Sequence, residues 1–452
     1  MPGLPPLTHE EAQREFAETL SGFTAGDKPE YADYSRCIHC GLCLNACPTY
    51  RLWHNEADSP RGRIRQMALV DQGRLELNEA FVTHIDRCLD CRACETACPS
   101  GVEYGKLVEL ARAQIAKNFK RPRTSRWIRN FVYRRLLADP RYIARIARAM
   151  RFYQRSGLEA IVRGTGVLRL VGMSKRAELL PRIDREFFFS RLGKMFPAQG
   201  ERRARVAFFA GCLAQVTFTQ LNDATIRVLQ ANGCEVVIPA DQFCCGALAA
   251  HAGERDVARE LARKNMKAFS AEAFDAIVTN AAGCGSTLKE YAHLFATGRE
   301  ENEYADDAGR AAEFSRGVRD VTEFLSDLGL SARMREMKLR VTYQDSCHLL
   351  HGQKIREAPR KLIRAIPGVE LVEMPLAEQC CGSAGVYNVT ETATSMELLK
   401  EKMVNAKSTE APIIVTANPG CMLQLRAGAK LHATGQDVLH VVELLDRALT
   451  NA

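Results

Sequence analysis

Cysteine is the residue type in this sequence with the clearest potential for chemistry, because eight of the seventeen cysteines fall into two short runs. The stretches CIHCGLCLNACP (37–48) and CLDCRACETACP (88–99) share the spacing C-x2-C-x2-C-x3-C-P at every position. Thiolates are soft ligands that suit zinc and iron–sulfur clusters. Zinc sites use paired C-x2-C units and seldom four cysteines in this pattern, so the spacing favours clusters.

Bacterial ferredoxins hold [4Fe–4S] clusters with this spacing. Three closely spaced thiolates bind one cube, whereas the fourth is displaced by an extra residue and a proline and reaches the other cluster. The sequence therefore predicts two [4Fe–4S] clusters and a pseudo-twofold relation between the runs. Cys37, Cys40, Cys43 and Cys98 would hold one cluster, and Cys88, Cys91, Cys94 and Cys47 the other.

A second group of cysteines lies in the C-terminal half, which repeats itself with a period near 135 residues. VAFFAGC matches VTYQDSC, FCCGA matches QCCGS, and IVTNAAGC matches IVTANPGC. We call each copy a CCG repeat after its Cys-Cys-Gly sequence. The matching cysteines are Cys212, Cys244, Cys245 and Cys284 in the first copy and Cys347, Cys380, Cys381 and Cys421 in the second.

The elements around these cysteines are predicted to bring them together. VAFF, EVVIP and AIVT are typical of short buried strands in a parallel sheet, and the segments between them have helical spacing. Each cysteine group follows a strand, and the carboxyl edge of an open α/β sheet is where ligands bind. Glycines beside the cysteines would let the backbone approach a bulky inorganic group; they are Gly246, Gly283, Gly382 and Gly420.

Other roles for these eight cysteines stay open at this point. Cysteine is often a small buried hydrophobic residue, and adjacent cysteines could act as a redox dithiol. Cys234 precedes a strand and has no counterpart in the other copy, so we interpret it as a core residue. The paired cysteines are candidates for one or two further iron–sulfur clusters.

The predicted fold class is a multidomain combination of α+β and α/β units. Residues 1–118 would form a helical, ferredoxin-like domain with two clusters, and residues 119–203 a basic helical linker. Residues 204–332 and 333–452 would form the two α/β CCG repeats, each with a short parallel sheet.

Neither a secretory signal nor a run of eighteen apolar residues is found, so the expected location is the reducing cytoplasm, where structural disulfides are rare. The formal charge of +8 is concentrated between Lys117 and Arg155, where thirteen Lys or Arg accompany one acid, Asp139. An amphipathic helix around Trp127 could lie on the inner face of a membrane. Alternatively, short helices broken by prolines would pack between the two halves and bury Trp127.

The chain resembles the iron–sulfur subunit of glycolate oxidase through DRCLDCRACETACPSGVEY, NAAGCGSTLKEY, CCGSAGVYN and IVTANPGC. This resemblance implies an electron-transfer subunit of an oxidoreductase complex, with no catalytic residue in this chain. Its partners would be flavin-containing subunits that carry FAD and oxidise glycolate to glyoxylate, and its electrons would pass towards a quinone or another acceptor.

Two alternatives follow from related families that carry CCG repeats. The chain could serve a lactate dehydrogenase or another 2-hydroxy-acid dehydrogenase, or it could reduce disulfides as heterodisulfide reductase does. The second alternative needs a repeat that ends in C-x2-C, but Thr287 and Gln424 occupy those last positions. The basic segment has no recognisable DNA-binding motif, so nucleic acid is not predicted as a partner.

Overall fold

The computed structural model of the protein describes residues 21–170, 177–270, 272–296 and 304–450. Residues 1–20 of the predicted N-terminal domain and residues 171–176 of the predicted linker lie outside these ranges. In the described ranges, the helices are too short or too polar to cross a bilayer. The architecture has the predicted class, a helical N-terminal part followed by two units with short, mainly parallel sheets.

The N-terminal part consists of helices packed around the two cysteine runs. Its helices are Tyr31–Tyr34, Pro48–Trp53, Pro60–Asp71, Glu79–Asp86, Ala93–Thr96 and Tyr104–Asn118, with a 3-10 turn at Glu56–Asp58. The insert between the runs contains the helix Pro60–Asp71. Pro60 takes its first position, and the Ser59 side chain caps it by accepting from the Gly62 amide. Met67, Phe81 and Leu107 form the core beneath the cysteines.

The linker is helical and short-segmented. It contains the helices Arg123–Phe131, Pro140–Arg155, Leu158–Gly164 and Val167–Leu170, a π-helix at Val132–Leu136 and a 3-10 turn at Phe188–Arg191. Pro140 begins one helix, which the Asp139 side chain caps by accepting from the Arg141 amide. Pro122 immediately precedes the helix Arg123–Phe131. The two prolines, Pro122 and Pro140, thus divide the segment into short helices, as the sequence predicts.

The first CCG repeat is built on a five-stranded sheet. Its strands are β1 Met195–Phe196, β2 Ala204–Phe209, β3 Cys234–Val237, β4 Ala276–Thr279 and β5 Val318–Asp320, in the order β1-β3-β2-β4-β5. All neighbouring strands are parallel except β1, which pairs antiparallel with β3. The helices are Ala214–Thr217, Thr219–Ala231, Ala247–His251, Arg255–Phe269, Ala282–Lys289, Tyr291–Phe295, Ala305–Gly317 and Val321–Leu328.

The second CCG repeat has the same central order with a fully parallel sheet. Its strands are β6 Leu339–Tyr343, β7 Val369–Glu373, β8 Ile413–Thr416 and β9 Asp437–His440, in the order β7-β6-β8-β9. Helices at Glu357–Arg364, Tyr387–Thr390, Thr392–Lys407, Pro419–Leu431 and Val441–Ala448, with a π-helix at His348–Gly352, complete the unit.

The two repeats share one hydrophobic core. Val206 and Phe208 of β2 belong to the same buried cluster as Val341 and Tyr343 of β6. The helix Thr219–Ala231 of the first repeat packs against the closing helix Val441–Ala448 of the second. The repeats therefore form a single body that fixes the positions of both cysteine groups.

Candidate metal centres

One cavity near the surface is lined by five cysteines of the two N-terminal runs, namely the four that the sequence predicts for one cluster and Cys94. We call Cys37, Cys40, Cys43 and Cys98 the first set. His39 (φ 57°) and Gly41 (φ 84°), on either side of Cys40, have left-handed backbone that bends the loop. Cys40 is exposed, whereas the other three are half-buried. Cys98 thus lies beside the first run, and Cys94 of its own run lines the same cavity.

The second set consists of Cys47, Cys88, Cys91 and Cys94, and all four are buried. Burial and then the nearby Cys380, Cys47 and Cys88 thiols raise the pKa of Cys91 well above its ordinary value. The pKa of Cys94 is raised by burial and by Cys91, Cys47 and Cys88. Cys47 therefore groups in space with the second run. The exchange of Cys98 and Cys47 between the two clusters stays a prediction.

The third set, in the first CCG repeat, consists of Cys212, Cys244, Cys245 and Cys284. Cys212 follows β2, the adjacent pair follows β3, and Cys284 follows β4 in the helix Ala282–Lys289. The Sγ atoms of Cys212 and Cys244 are 3.4 Å apart. Hydrogen bonds from the Cys212 and Cys245 thiols lower the pKa of Cys244, which favours the thiolate form that binds metals.

The fourth set, in the second repeat, consists of Cys347, Cys380, Cys381 and Cys421. The Sγ atoms of Cys381 and Cys421 are 3.5 Å apart. The contact with the Cys380 thiol raises the pKa of Cys381 to about 12. Burial acts in the same direction, and the Cys421 thiol opposes both. Each CCG repeat therefore brings together the four cysteines that the sequence predicts to converge at the carboxyl edge of its sheet.

Gly246 and Gly382 have a structural role that the sequence did not predict. Both have left-handed backbone with φ of 86°. A Cβ at Gly382 would lie 2.6 Å from the Ser395 carbonyl oxygen, and one at Gly246 would lie 3.4 Å from Ala258. These glycines let the Cys-Cys loop pack against the following helix. Their predicted role beside an inorganic group stays a prediction.

Cys234 lies in β3 and belongs to the hydrophobic core. Burial raises its pKa to about 11. Because a neutral thiol is favoured there and β3 holds its backbone, this cysteine occupies the core position that the sequence predicts.

The second and fourth sets are neighbours across the boundary between the N-terminal part and the second repeat. Cys91, Cys347 and Cys380 pack in one apolar cluster with Leu89 and Tyr387. The Tyr387 hydroxyl donates to the Arg87 carbonyl oxygen at 3.1 Å, which fixes this contact.

The third and fourth sets are also linked through their loops. The Gly283 amide, beside Cys284, donates to Asn418 Oδ1 at 3.4 Å, and Asn418 Nδ2 lies 3.5 Å from Cys421 Sγ. The structure thus arranges the second, fourth and third sets as successive neighbours.

A partly buried polar cluster beside the second set carries no sequence signal. His251 Nδ1 lies 3.0 Å from Asp90 and 2.8 Å from Glu109. Burial opposes a charge on His251, but these carboxylates raise its pKa to about 10. The neighbouring His348 ring has a pKa lowered to about 3, mainly by burial. The residues are far apart in the chain, so only the folded structure reveals the cluster.

The donor chemistry of the four sets fits iron–sulfur clusters. All seventeen cysteines lie in the described part of the chain and carry free thiols. Each set offers four sulfur donors, and in every set burial and neighbouring thiols raise the pKa of two or more members. Crowded, protonated thiols of this kind would lose their protons on binding iron.

Comparisons with known proteins agree with these observations. A family profile described as "4Fe-4S dicluster domain" matches residues 33–102, and one described as "Cysteine-rich domain" matches residues 206–289 and 341–426. A third, "Glycolate oxidase iron-sulfur subunit, linker region", matches residues 124–179.

Three relatives illustrate the range of similarity. The chain is 40% identical to the "Probable glycolate oxidase iron-sulfur subunit" of Bacillus subtilis, covering 93% of this chain and 95% of that protein. It is 31% identical to the "Glycolate oxidase iron-sulfur subunit" of Escherichia coli, covering 91% and 93%. It is 31% identical to "Lactate utilization protein A" of Oceanobacillus iheyensis, covering 54% of this chain and 96% of that protein.

Proposed function

Because the chain belongs to the family of glycolate oxidase iron–sulfur subunits, we propose that it carries electrons from glycolate oxidation within a multi-subunit oxidoreductase. Flavin-containing partner subunits would oxidise glycolate to glyoxylate. This chain would take their electrons and pass them towards a quinone or another acceptor. Iron–sulfur clusters supply the one-electron chemistry that links a two-electron flavin to such an acceptor.

The proposal assigns a ligand role to all four sets. The first and second sets would each hold a [4Fe–4S] cluster, with Cys98 and Cys47 exchanged between the runs. The third and fourth sets would hold one or two further iron–sulfur clusters. Cys234 takes no part, since it lies in the core.

The observation that carries the proposal is the contact between Cys91 of the second set and Cys347 and Cys380 of the fourth. Electrons pass between redox centres that lie close together, and here members of the two sulfur sets belong to one packed cluster. At the outer end, Cys40 is exposed beside the exposed side chains of Ile38 and Leu42. A partner that docks there would approach the first set most closely.

The experiment that tests this function uses the whole complex. The chain is purified anaerobically with its flavin-containing partners, and glycolate is added while the iron–sulfur absorbance is followed. We expect glycolate to bleach the clusters and an added quinone to restore them. Clusters that dithionite reduces but glycolate leaves oxidised would contradict the function while leaving the ligand sets intact.

A role for a related hydroxy acid is less well supported. The lactate-utilisation relative matches only 54% of this chain, whereas the glycolate oxidase relatives cover nearly all of it. Substituting lactate for glycolate in the same experiment separates the two substrates.

The residues at the last position of the C-x2-C pattern, where heterodisulfide reductase has a further cysteine, argue against a disulfide reductase role. Thr287 donates its hydroxyl to the Gly283 carbonyl, and Gln424 Nε2 donates to Ser395 Oγ at 2.9 Å. Both side chains are buried and make structural hydrogen bonds. Neither can supply the fifth thiolate of that reductase's unusual cluster.

The linker supports a location at the inner face of a membrane. Trp127 is 69% exposed and Ile128 54% exposed, and Phe152 and Ile161 are also exposed. Thirteen Lys or Arg lie between Lys117 and Arg155, the segment that also contains Trp127, Ile128 and Phe152. An exposed apolar and cationic surface of this kind suits the headgroup region of an anionic bilayer, where a quinone would accept the electrons.

A further inference from the structure

The helices that support the Cys-Cys loops of the two repeats match residue by residue. They are Arg255–Phe269 in the first repeat and Thr392–Lys407 in the second. Every buried position of the second has a buried counterpart at the same offset in the first. The pairs are Val257 and Thr394, Ala258 and Ser395, Leu261 and Leu398, Ala262 and Leu399, Asn265 and Lys402, Met266 and Met403, and Phe269 and Ala406.

In the first repeat, a neutral side chain at this helix position holds the Cys-Cys loop. Asn265 is fully buried, and its Nδ2 donates to the Cys244 carbonyl oxygen at 2.9 Å. Its Oδ1 accepts from the Phe243 amide at 2.9 Å. Asn265 thus fixes the loop of the third set through two backbone hydrogen bonds and contributes no charge.

In the second repeat, a lysine takes the same place. Lys402 is 2% exposed, and its Nζ donates to the carbonyl oxygens of Leu376 at 2.7 Å and Ala377 at 3.2 Å. It forms no salt bridge with a carboxylate in the described ranges; the nearby Asp345 carboxylate already accepts both guanidinium bonds of Arg360 at 2.8 Å.

A buried ammonium without a carboxylate partner is costly unless another negative group faces it. Burial lowers the pKa of Lys402, and the nearby Cys381 and Cys380 oppose that effect. A fourth set that holds an anionic cluster would supply the missing counter-charge. The Glu378 and Asp345 carboxylates also favour the charged form of Lys402, but less than the two cysteines do, and neither forms an ion pair with it in the described ranges.

We propose that Lys402 places a positive charge against the fourth set and makes its cluster easier to reduce than the cluster of the third set. This inference rests on the proposed function, because it needs a cluster in each CCG repeat. Reduction adds one negative charge, and a nearby fixed cation stabilises that charge, so the reduction potential rises. Asn265 gives the third set no such stabilisation.

The asymmetry has a consequence for the direction of electron flow. The fourth set is the one that packs against Cys91 of the second set. A raised potential at the fourth set would favour transfer out of the N-terminal part and into the CCG repeats. Lys402 would act as a positioning residue through its charge, since it does not itself bind the cluster.

The test is a redox titration of the loaded, full-length chain, followed by electron paramagnetic resonance. Lys402→Gln removes the charge but keeps an N–H donor for the loop carbonyls, and Lys402→Arg keeps the charge. We expect Lys402→Gln to make the fourth cluster at least about tenfold harder to reduce at equilibrium, about 59 mV for one electron. Lys402→Arg should restore most of the difference, and the other clusters should not change.

Lys361→Gln is the matched control, because Lys361 also donates to a backbone carbonyl, that of Ser326 at 2.8 Å, outside the cysteine sets. It should leave every potential unchanged. An unchanged fourth potential in Lys402→Gln, with normal iron content, overturns the proposal. If Lys402→Gln loses iron, the comparison moves to Lys402→Arg and Lys402→Met, and an equal potential in these two also overturns it.

Failure of the underlying ligand assignment looks different. In that case the wild-type chain would contain iron only for the first and second sets, and Cys381→Ala would change no spectrum. That result removes the cluster of the fourth set and this inference with it. A wild-type chain with a fourth cluster whose potential ignores Lys402 contradicts only the inference.

Discussion

Cys47 tests the assignment of ligands to the first two clusters, because its neighbours in the sequence differ from its neighbours in space. It closes the first run in the sequence, yet it lies beside Cys91 and Cys94 in the structure. We predict that Cys47→Ser damages the second cluster and spares the first, with a loss of up to about four irons per chain. Iron and sulfide analysis with resonance spectroscopy of the anaerobic protein measures this.

Cys43→Ser is the comparison for that experiment, because Cys43 lines the cavity of the first set. It should damage the first cluster instead. If Cys47→Ser and Cys43→Ser remove the same spectroscopic signal, the exchange of Cys47 and Cys98 between the runs is wrong.

Cys381 and Cys234 test whether cysteines of the CCG repeats act as ligands or as packing residues. Both are buried. Cys381→Ala should abolish electron transfer to the final acceptor while leaving the first and second clusters intact. Cys234→Ala should keep full activity and lower the free energy of unfolding by about 1 kcal/mol, the cost of a small core deletion. Equal losses of activity at the two positions would refute the distinction.

At the scale of single residues, spacing and repetition made the cysteine groupings predictable. The spacing C-x2-C-x2-C-x3-C-P constrains the positions of the thiols within one loop. In the CCG repeats, each cysteine position occurs twice in the chain, which supports its assignment to a set. His251 and Lys402 could not be predicted to matter, because each is one polar residue in a helical pattern. Their importance comes from burial and from partners that lie far away in the chain.

Among the elements, the helix Arg123–Phe131 gives the sharpest prediction. All its residues are at least partly exposed, and Trp127 stacks on Phe131 with ring centroids 5.9 Å apart. We predict that the isolated subunit binds liposomes only when they contain anionic lipid, and that salt weakens the binding. Each cation near the surface contributes about 1 kcal/mol, so Arg123→Glu with Arg126→Glu should reduce affinity at least about tenfold.

Arg129 is a poor choice for that experiment, since it donates to the Ala252 carbonyl at 2.8 Å and pairs with Glu254. The controls are Trp127→Glu, which should also weaken binding, and Val404→Glu, which changes an exposed apolar residue of the second repeat and should not. Co-sedimentation that ignores lipid charge would point to attachment through the partner subunits alone.

The packing of the linker helices could not be predicted from the sequence. The prediction that packing would bury Trp127 is wrong, because the linker contacts the first repeat through Tyr133, Arg129 and Arg134 instead. An amphipathic pattern shows that a helix has two faces but does not show which neighbour covers the apolar one.

The strands β5 and β9 were likewise missing from the predicted sheets. Each is short and runs directly into a helix whose first residues form a capping box, at Asp320 and at His440. The helical pattern of Val321–Leu328 and Val441–Ala448 is strong, so the sequence did not indicate a separate strand before each helix. The strands β2, β4 and β8 could be predicted, because buried strands of a parallel sheet are continuous apolar runs.

For the whole molecule, electron transfer depends on how firmly the N-terminal part is held against the CCG repeats. Asp27 accepts from Arg255 and Arg259 of the first repeat, with Arg255 Nε at 2.8 Å. Both arginines are buried, at 4% and 2% exposure. On the other side, Arg51 pairs with Glu401 of the second repeat. These contacts fix the distance between the second and fourth sets.

We predict that Asp27→Asn loosens this attachment, because it leaves the buried Arg255 without its carboxylate and Arg259 with only the exposed Asp256. Breaking a buried pair on one side costs about 3–5 kcal/mol, and the partial exposure of Asp27 should reduce the loss to about 2 kcal/mol.

The pH dependence of the Asp27 contact follows from its pKa. Burial would raise this pKa, but Arg259 and Arg255 together lower it below the ordinary value. The stabilisation is therefore complete above the unfolded pKa of about 3.9 and is lost as the pH falls through the lower folded pKa. In the wild type, the free energy of unfolding should fall as Asp27 is protonated at low pH. In Asp27→Asn, which has no carboxyl group at this position, that contribution to the pH dependence should be absent.

The same variant should slow electron transfer from the second set to the fourth without removing either cluster, since Asp27 binds no metal and acts only on docking. Stopped-flow reduction of the loaded protein measures the rate, and denaturant unfolding of the same sample measures stability. Asp33→Asn is the matched control, because it breaks an ion pair with Lys106 at 2.9 Å inside the N-terminal part. It should lower stability slightly and leave the transfer rate unchanged. Equal rates in the wild type and Asp27→Asn would show that the apolar contact of Cys91, Cys347 and Cys380 holds the two parts together by itself.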